Sequence, residues 1–277
     1  MKRRPLLQTG LAGYLWACTQ PLQAAPARSK ALQVQWLGHT CFLFISDEGR
    51  LLVNPFRPAG CTAGYRRPEV AVDLILLSSR LLDEGALDVV KGNPRVLYQP
   101  GVFTVDSFDK LQGVKTLHDR KDGRRFGVNV AWRWRQAGLD IVHLGVIAAP
   151  LSDEEKILLG KPDLLFVPVG GGEKGFDPEL AHQATEELQP RMVVPMYYRT
   201  EAAEDGCELG GVDPFLQLFK SDTVKVYTNP LVQISAANLP KSGGAPLVRV
   251  FAYDFSGKTP PVSGSGRPAV PKAQERS

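Results

Sequence analysis

The chain has 277 residues and a formal charge of +4, from 33 Lys and Arg against 29 Asp and Glu. Hydrophobic residues make up 43% and charged residues 22%, a globular balance that excludes a wholly disordered or collagen-like chain. No apolar run reaches the roughly 18 residues of a membrane span, so no transmembrane segment is expected.

Residues 1–27 carry Lys2, Arg3 and Arg4 and no acid, while residues 257–277 carry Lys258, Arg267, Lys272 and Arg276 against Glu275. By difference, the stretch between them holds 26 basic and 28 acidic residues. A slightly acidic body offers no basic footprint, so nucleic acid is not an expected partner. The amino-terminal arginines precede a mild apolar stretch, Gly10 to Ala17, and then the small residues Ala24, Ala25 and Ala27. This pattern resembles a twin-arginine export signal and predicts a periplasm or equivalent lumen as the destination. Leu15-Trp16-Ala17-Cys18 loosely resembles a lipoprotein box, with lipid anchoring at Cys18 as the alternative. Beyond the signal remain Cys41, Cys61 and Cys207, enough for one bridge at most; otherwise they are small buried apolar residues.

From Leu32 the chain reads strand, turn, strand. Leu32 to Leu37 alternates, Gly38-His39 turns, and Cys41 to Ile45 is a short apolar run. Leu51 to Val53 continues the meander and Asn54-Pro55 breaks it. Val72 to Leu77 is apolar except for Asp73, as expected for a strand buried on both faces. Further strands are expected at Arg95–Tyr98, Val114–Leu117, Val128–Trp134, Leu139–Leu144, Leu164–Val167 and Met192–Pro195. In Val128–Trp134, Trp132 and Trp134 alternate with Arg133, and Arg135 follows, which predicts an aromatic core face and a basic solvent face. Ser152 with Glu155 forms a capping box before one helix, Asp177-Pro178 opens a second, and Val212–Phe219 is a third. The division is therefore an export signal over 1–27, one folded domain over 28–255, and a Ser/Gly/Pro/Lys-rich tail over 256–277, disordered by composition. Strands first in a meander and then alternating with helices predict a layered α/β sandwich.

Of the four histidines, His39, His118 and His143 lie at strand ends or turns, where side chains converge on one sheet edge. His182 lies within a helix and reads as a surface or packing residue. Gly170-Gly171-Gly172 lacks the Gly-Lys-Ser/Thr of a phosphate loop and reads as a strand-end turn.

Gly38-His39-Thr40, Leu51-Leu52-Val53-Asn54-Pro55 and Asp73-Leu74-Ile75-Leu76-Leu77-Ser78 together resemble the opening of the metallo-β-lactamase-fold hydrolases. Leu117-His118-Asp119, Val142-His143-Leu144-Gly145, Asp163 to Gly171 and Val194-Pro195-Met196-Tyr197-Tyr198 extend the resemblance over roughly Gln33 to Phe219. The branch it most resembles contains L-ascorbate-phosphate lactonase. It implies a four-layer αββα sandwich with one or two zinc ions at the sheet edge, activating water for hydrolysis.

The same resemblance marks seven ligand positions. The family's Thr-His-x-His-x-Asp-His stands here as Ser78-Ser79-Arg80-Leu81-Leu82-Asp83-Glu84, so Ser79, Leu81 and Glu84 replace imidazoles and Asp83 is retained. His118 is retained, Val146 replaces the bridging Asp, and Tyr197 replaces the last His. Leu cannot donate to a metal, and neutral hydroxyls are poor donors beside imidazole and carboxylate. The expectation is an exported pseudoenzyme without a cofactor, binding a small molecule or a protein partner, or serving as a scaffold. The alternative is a lactone or phosphoester hydrolase with one divalent metal, Zn, Fe or Mn, held among Asp83, Glu84, His118 and His143.

Overall fold

The computed structural model describes residues 31–105 and 108–256. The expected export signal, the Cys18 anchor and all but the first residue of the expected tail lie outside the described residues.

The first sheet begins as the meander predicted from sequence: β1 (Leu32–Gly38), β2 (Cys41–Ser46) and β3 (Gly49–Val53) run antiparallel. The β1–β2 turn needs Gly38 at φ +112°, where an added Cβ would lie 2.6 Å from the Tyr65 ring. Two parallel strands follow, β4 (Leu74–Leu76) and β5 (Arg95–Leu97). The second sheet opens with the antiparallel run β6 (Gly101–Val105), β7 (Phe108–Leu117), β8 (Val128–Gln136) and β9 (Leu139–His143). It continues in parallel with β10 (Leu164–Pro168) and β11 (Met192–Met196). Three late strands complete the pair of sheets: β12 (Val224–Val226), β13 (Leu231–Ile234) and β14 (Leu247–Val250). The resulting orders are β13-β1-β2-β3-β4-β5 and β12-β14-β11-β10-β9-β8-β7-β6.

The main core lies between the sheets. Phe42 and Phe44 of β2 meet Phe166 of β10 at ring distances of 4.7 and 5.2 Å, and Phe44 meets Trp134 of β8 at 5.0 Å. Such aromatic pairs add about 0.5–1.5 kcal/mol each beyond the area they bury. Trp132 and Trp134 are buried, Arg133 is half-buried and Arg135 exposed, as the alternation predicts. Three α-helices are seen among the described residues: α1 (Asp153–Leu159), α2 (Pro178–Leu188) and α3 (Asp213–Leu216). The Ser152–Glu155 capping box is formed, and the Asp177 side chain accepts from Leu180 N. Helix α1 lies against β7, and α2 against β10. Over the outer face of the first sheet, loop residues Phe56, Tyr65, Val70 and Ala202 cover Leu43, Leu52 and Ile75.

This topology fixes where chemistry can occur. His39 follows β1, Asp83 and Glu84 lie beyond β4, and His118 follows β7. Lys174 comes after β10 and Tyr197 after β11. Parallel alignment brings the carboxyl ends of β9, β10 and β11 to one edge, and β7, two antiparallel steps from β9, ends there too.

Candidate functional site

The edge is built on a buried polar floor. Asn54, in left-handed conformation at φ 51°, accepts from Ser78 N at 2.8 Å and donates to Ser78 Oγ at 3.1 Å. Asn129 donates to Leu144 O and Thr116 Oγ1 and accepts from Val146 N at 3.0 Å. These amides pin the ends of β4 and β9, so the loops that follow start from fixed points.

On this floor Glu84 and His118 face each other, both fully buried, with Glu84 Oε1 3.1 Å from His118 Nε2. The approach lacks the alignment of a hydrogen bond, and Oε1, Oε2, Nδ1 and Nε2 of the pair all lack hydrogen-bond partners. Beside them the Lys174 ammonium makes a short contact with Asp83 Oδ2 and lies 3.9 Å from Glu84 Oε1. The same ammonium stands 5.9 Å from the ring centres of both Phe126 and Tyr197. Burial alone would raise the Asp83 carboxyl, but Lys174, helped by His39, holds it below the ordinary carboxylate value.

His39 closes the arrangement. Its carbonyl accepts from Trp36 Nε1 at 3.0 Å, and its ring lies 4.7 Å from Tyr197. The ring is buried and neither nitrogen has a partner. Burial pushes its pKa down to about 4, with Asp83 opposing and Lys174 assisting. The imidazole is therefore neutral at pH 7 and offers one donor and one acceptor. Burial, then the charges of Glu84 and Asp83, raise the Tyr197 phenol well above its usual value.

A cleft of about 250 Å³ opens onto these groups, lined among others by His39, Asp83, Phe126, Lys174, Tyr197 and Glu208. Its walls are fixed in two ways. Asp119 accepts from the backbone N–H groups of Lys121, Gly123, Arg125 and Phe126 at 2.7–2.9 Å, which shapes the loop that presents Phe126. Those bonds, Phe126 first, outweigh desolvation and hold the carboxyl at about 2. Opposite, a Cys61–Cys207 disulfide joins segments 146 residues apart, and Glu204 N donates to Gly60 O beside it. Cys41 is free and buried.

The residues marked from sequence sort clearly. Asp83, Glu84, His118 and Tyr197 gather at the cleft or directly behind it. His143 does not belong to a metal-ligand set: its Nε2 faces Thr40 O at 3.0 Å and its Nδ1 accepts from Gly145 N at 3.1 Å. Its ring stacks 5.8 Å from Phe166, as a core residue. Ser79 Oγ accepts from Leu81 N in the turn that follows β4, and Val146 is a buried residue of the main core. His182 packs on Phe219 at 4.9 Å, as its helical position suggests. His39 was expected from sequence at the shared sheet edge without an assigned role, whereas Lys174 and Phe126 were not singled out. The Gly-rich turn before Lys174 was visible, but only the fold brings it to Asp83.

The residues present do not fit a two-metal centre. Among the described residues no three His, Cys, Asp or Glu side chains converge as metal ligands. Four of the seven marked positions offer Ser, Leu, Val or Tyr, and an ammonium already stands against the carboxylates.

Residues 33–197 match the family described as a beta-lactamase superfamily domain. A UPF0173 metal-dependent hydrolase of Thermococcus onnurineus is 29% identical over 194 residues, covering 61% of this chain and 85% of the relative. One from Heliobacterium modesticaldum is 26% identical over 202 residues, covering 61% and 83%. A Thermotoga maritima crystal structure, assigned to a Zn-dependent hydrolase of the metallo-β-lactamase superfamily, superposes with a TM-score of 0.63. It shares 28% identity and covers 79% of this chain and 98% of its own. The metallo hydrolase Igni18 of Ignicoccus hospitalis, at 20% identity and TM-score 0.52, covers 74% and 99% and shares the fold. With its two facing sheets, strand-end site and matched domain, the chain belongs to the beta-lactamase superfamily in its metallo-β-lactamase fold.

Proposed function

We propose that this chain uses the ancestral hydrolase cleft to bind a small molecule without the family's two-metal centre. The carrying observation is the ammonium of Lys174 set against Asp83 and beside Glu84, where the resemblance places metal ligands. The buried, unpartnered imidazole of His39 lines the same cleft and supplies a ligand's hydrogen-bond partner. The lining acids Asp83, Glu173 and Glu208 outnumber Lys174, which favours a molecule rich in hydroxyl or amine donors over an anion.

We place its work outside the cytoplasm. The amino-terminal twin-arginine pattern supports this, and so does the Cys61–Cys207 bridge, a bond that persists in oxidising compartments.

A second reading is a hydrolase of a lactone or phosphoester with one divalent metal at Asp83, Glu84 and His118. The buried polar atoms of Glu84 and His118 without hydrogen-bond partners favour it, as do the hydrolase names of the relatives.

One set of measurements separates the two. Purified protein is assayed for bound metal and titrated by calorimetry with small polyols and amines, with phosphates as contrast. A polyol or amine that binds wild type but not His39→Ala supports the binding reading. Stoichiometric metal, with lactone or phosphoester hydrolysis abolished in His118→Ala, establishes the hydrolase instead.

A further inference from the structure

We infer that Lys174 is the built-in cation of this site, holding the charge position of the family's metal and closing the natural chain to divalent ions there. The inference rests on the metal-free reading above and deepens it.

A buried carboxylate such as Glu84 is costly without a compensating charge. The positive charge beside it comes from Lys174, whose ammonium contacts Asp83 Oδ2 and lies 3.9 Å from Glu84 Oε1. Phe126 and Tyr197 turn their rings toward the same ammonium, which completes a box of two carboxylates and two aromatic rings. The side chain is held there, with only 16% of its surface exposed.

The backbone delivers it deliberately close. Gly170 N donates to Tyr197 O at 2.9 Å, and a Cβ at Gly175 would lie 2.7 Å from Tyr197 Cε1. The turn from β10 to α2 is thereby pressed onto the strand end that carries Tyr197.

Glu84 Oε1 lies 3.9 Å from the ammonium and 3.1 Å from His118 Nε2. Deleting the ammonium would leave the Asp83 and Glu84 carboxylates without their cation, with His118 Nε2 still beside Glu84 Oε1. Carboxylate oxygens and a neighbouring imidazole are donor types that zinc or manganese accepts once the competing ammonium is gone. Lysine and metal are thus alternative occupants, and the chain carries the lysine.

The test measures metal content and zinc titration by calorimetry on the full chain, with circular dichroism to monitor folding. Wild type and the charge-keeping Lys174→Arg are expected to purify without stoichiometric metal. Lys174→Ala and Lys174→Gln are expected to bind one zinc about 10–100-fold more tightly than wild type, a gain removed by adding His118→Ala. A neutral variant that folds only when zinc is supplied gives the same support.

Stoichiometric metal in the wild type would overturn both this inference and the metal-free reading. A metal-free wild type with folded neutral variants that ignore zinc would overturn the inference and leave the reading standing. So would zinc binding that survives His118→Ala, or a neutral variant that zinc cannot refold.

Discussion

Glu84 Oε1 stands 3.1 Å from His118 Nε2, and neither side chain exposes any surface. Groups so placed interact strongly with each other and badly with anything that replaces only one of them. Substituting His118→Leu alone is expected to cost about 3–5 kcal/mol, because a carboxylate is left buried beside an apolar group. Glu84→Met with His118→Leu should recover much of that loss. Urea denaturation of wild type, both single variants and the double variant measures the coupling. Additive losses would show that the two residues act independently.

His143 gives a pH dependence of definite sign. Burial pushes its ring from 6.5 down to about 3, against the Thr40 carbonyl and its own backbone, which raise it. The unfolded chain gains this proton near pH 6.5 and the folded chain resists it until about pH 3. Its stability contribution is therefore complete above pH 6.5 and drains away as pH falls toward 3. His39, held at about 4, acts in the same direction over a narrower window. Unfolding free energies at pH 7, 6, 5 and 4 should fall steadily in the wild type and less steeply in His143→Gln. Equal slopes in the two proteins would refute the assignment.

Gly145 shows how closely the floor of the cleft is packed. At φ +65° an added Cβ would press into Asn129 Oδ1 and Ser78 Oγ. Gly138 has a similar φ of +78° but open space around it. Gly138→Ala is expected to cost about 1 kcal/mol in backbone strain alone. Gly145→Ala should cost more than that by about 1–3 kcal/mol, since it also disturbs buried hydrogen bonds. Matched thermal and urea melts make the comparison, and equal costs would mean that the floor relaxes freely.

The Cys61–Cys207 bond closes a long loop and borders the cleft. Reduction, or Cys61→Ser with Cys207→Ser, is expected to remove about 2–5 kcal/mol of stability. Hydrogen exchange should rise first in residues 200–211, which form one wall. Unchanged exchange there would show that backbone bonds such as Gly64 N to Ala202 O are sufficient to hold it.

The strands that sequence made legible are those with a buried face or two. Leu32–Gly38 alternates, and Leu164–Pro168 is apolar throughout because helix and sheet cover both sides. Gly101–Val105, Val224–Val226 and Leu231–Ile234 were not foreseen, and all three are edge strands. Their exposed positions dilute the period-two signal. Leu247–Val250, also unforeseen, is only four residues long. The third helix shrank from Val212–Phe219 to a single turn, Asp213–Leu216. The fold was thus readable from motifs shared with a family. Lys174 was not, because a lysine in a Gly-rich turn looks like any solvated lysine until the sheets bring it to Asp83.

The ammonium at Asp83 is tied to the backbone by four methylenes. A metal ion must be acquired after synthesis, competes with other ions, and leaves when a chelator outbids the protein. A lysine arrives with the chain at fixed stoichiometry and cannot be leached. With Lys174 as the resident cation we infer, the charge balance of this site would be settled at translation, and folding would not wait on the ion supply of any compartment.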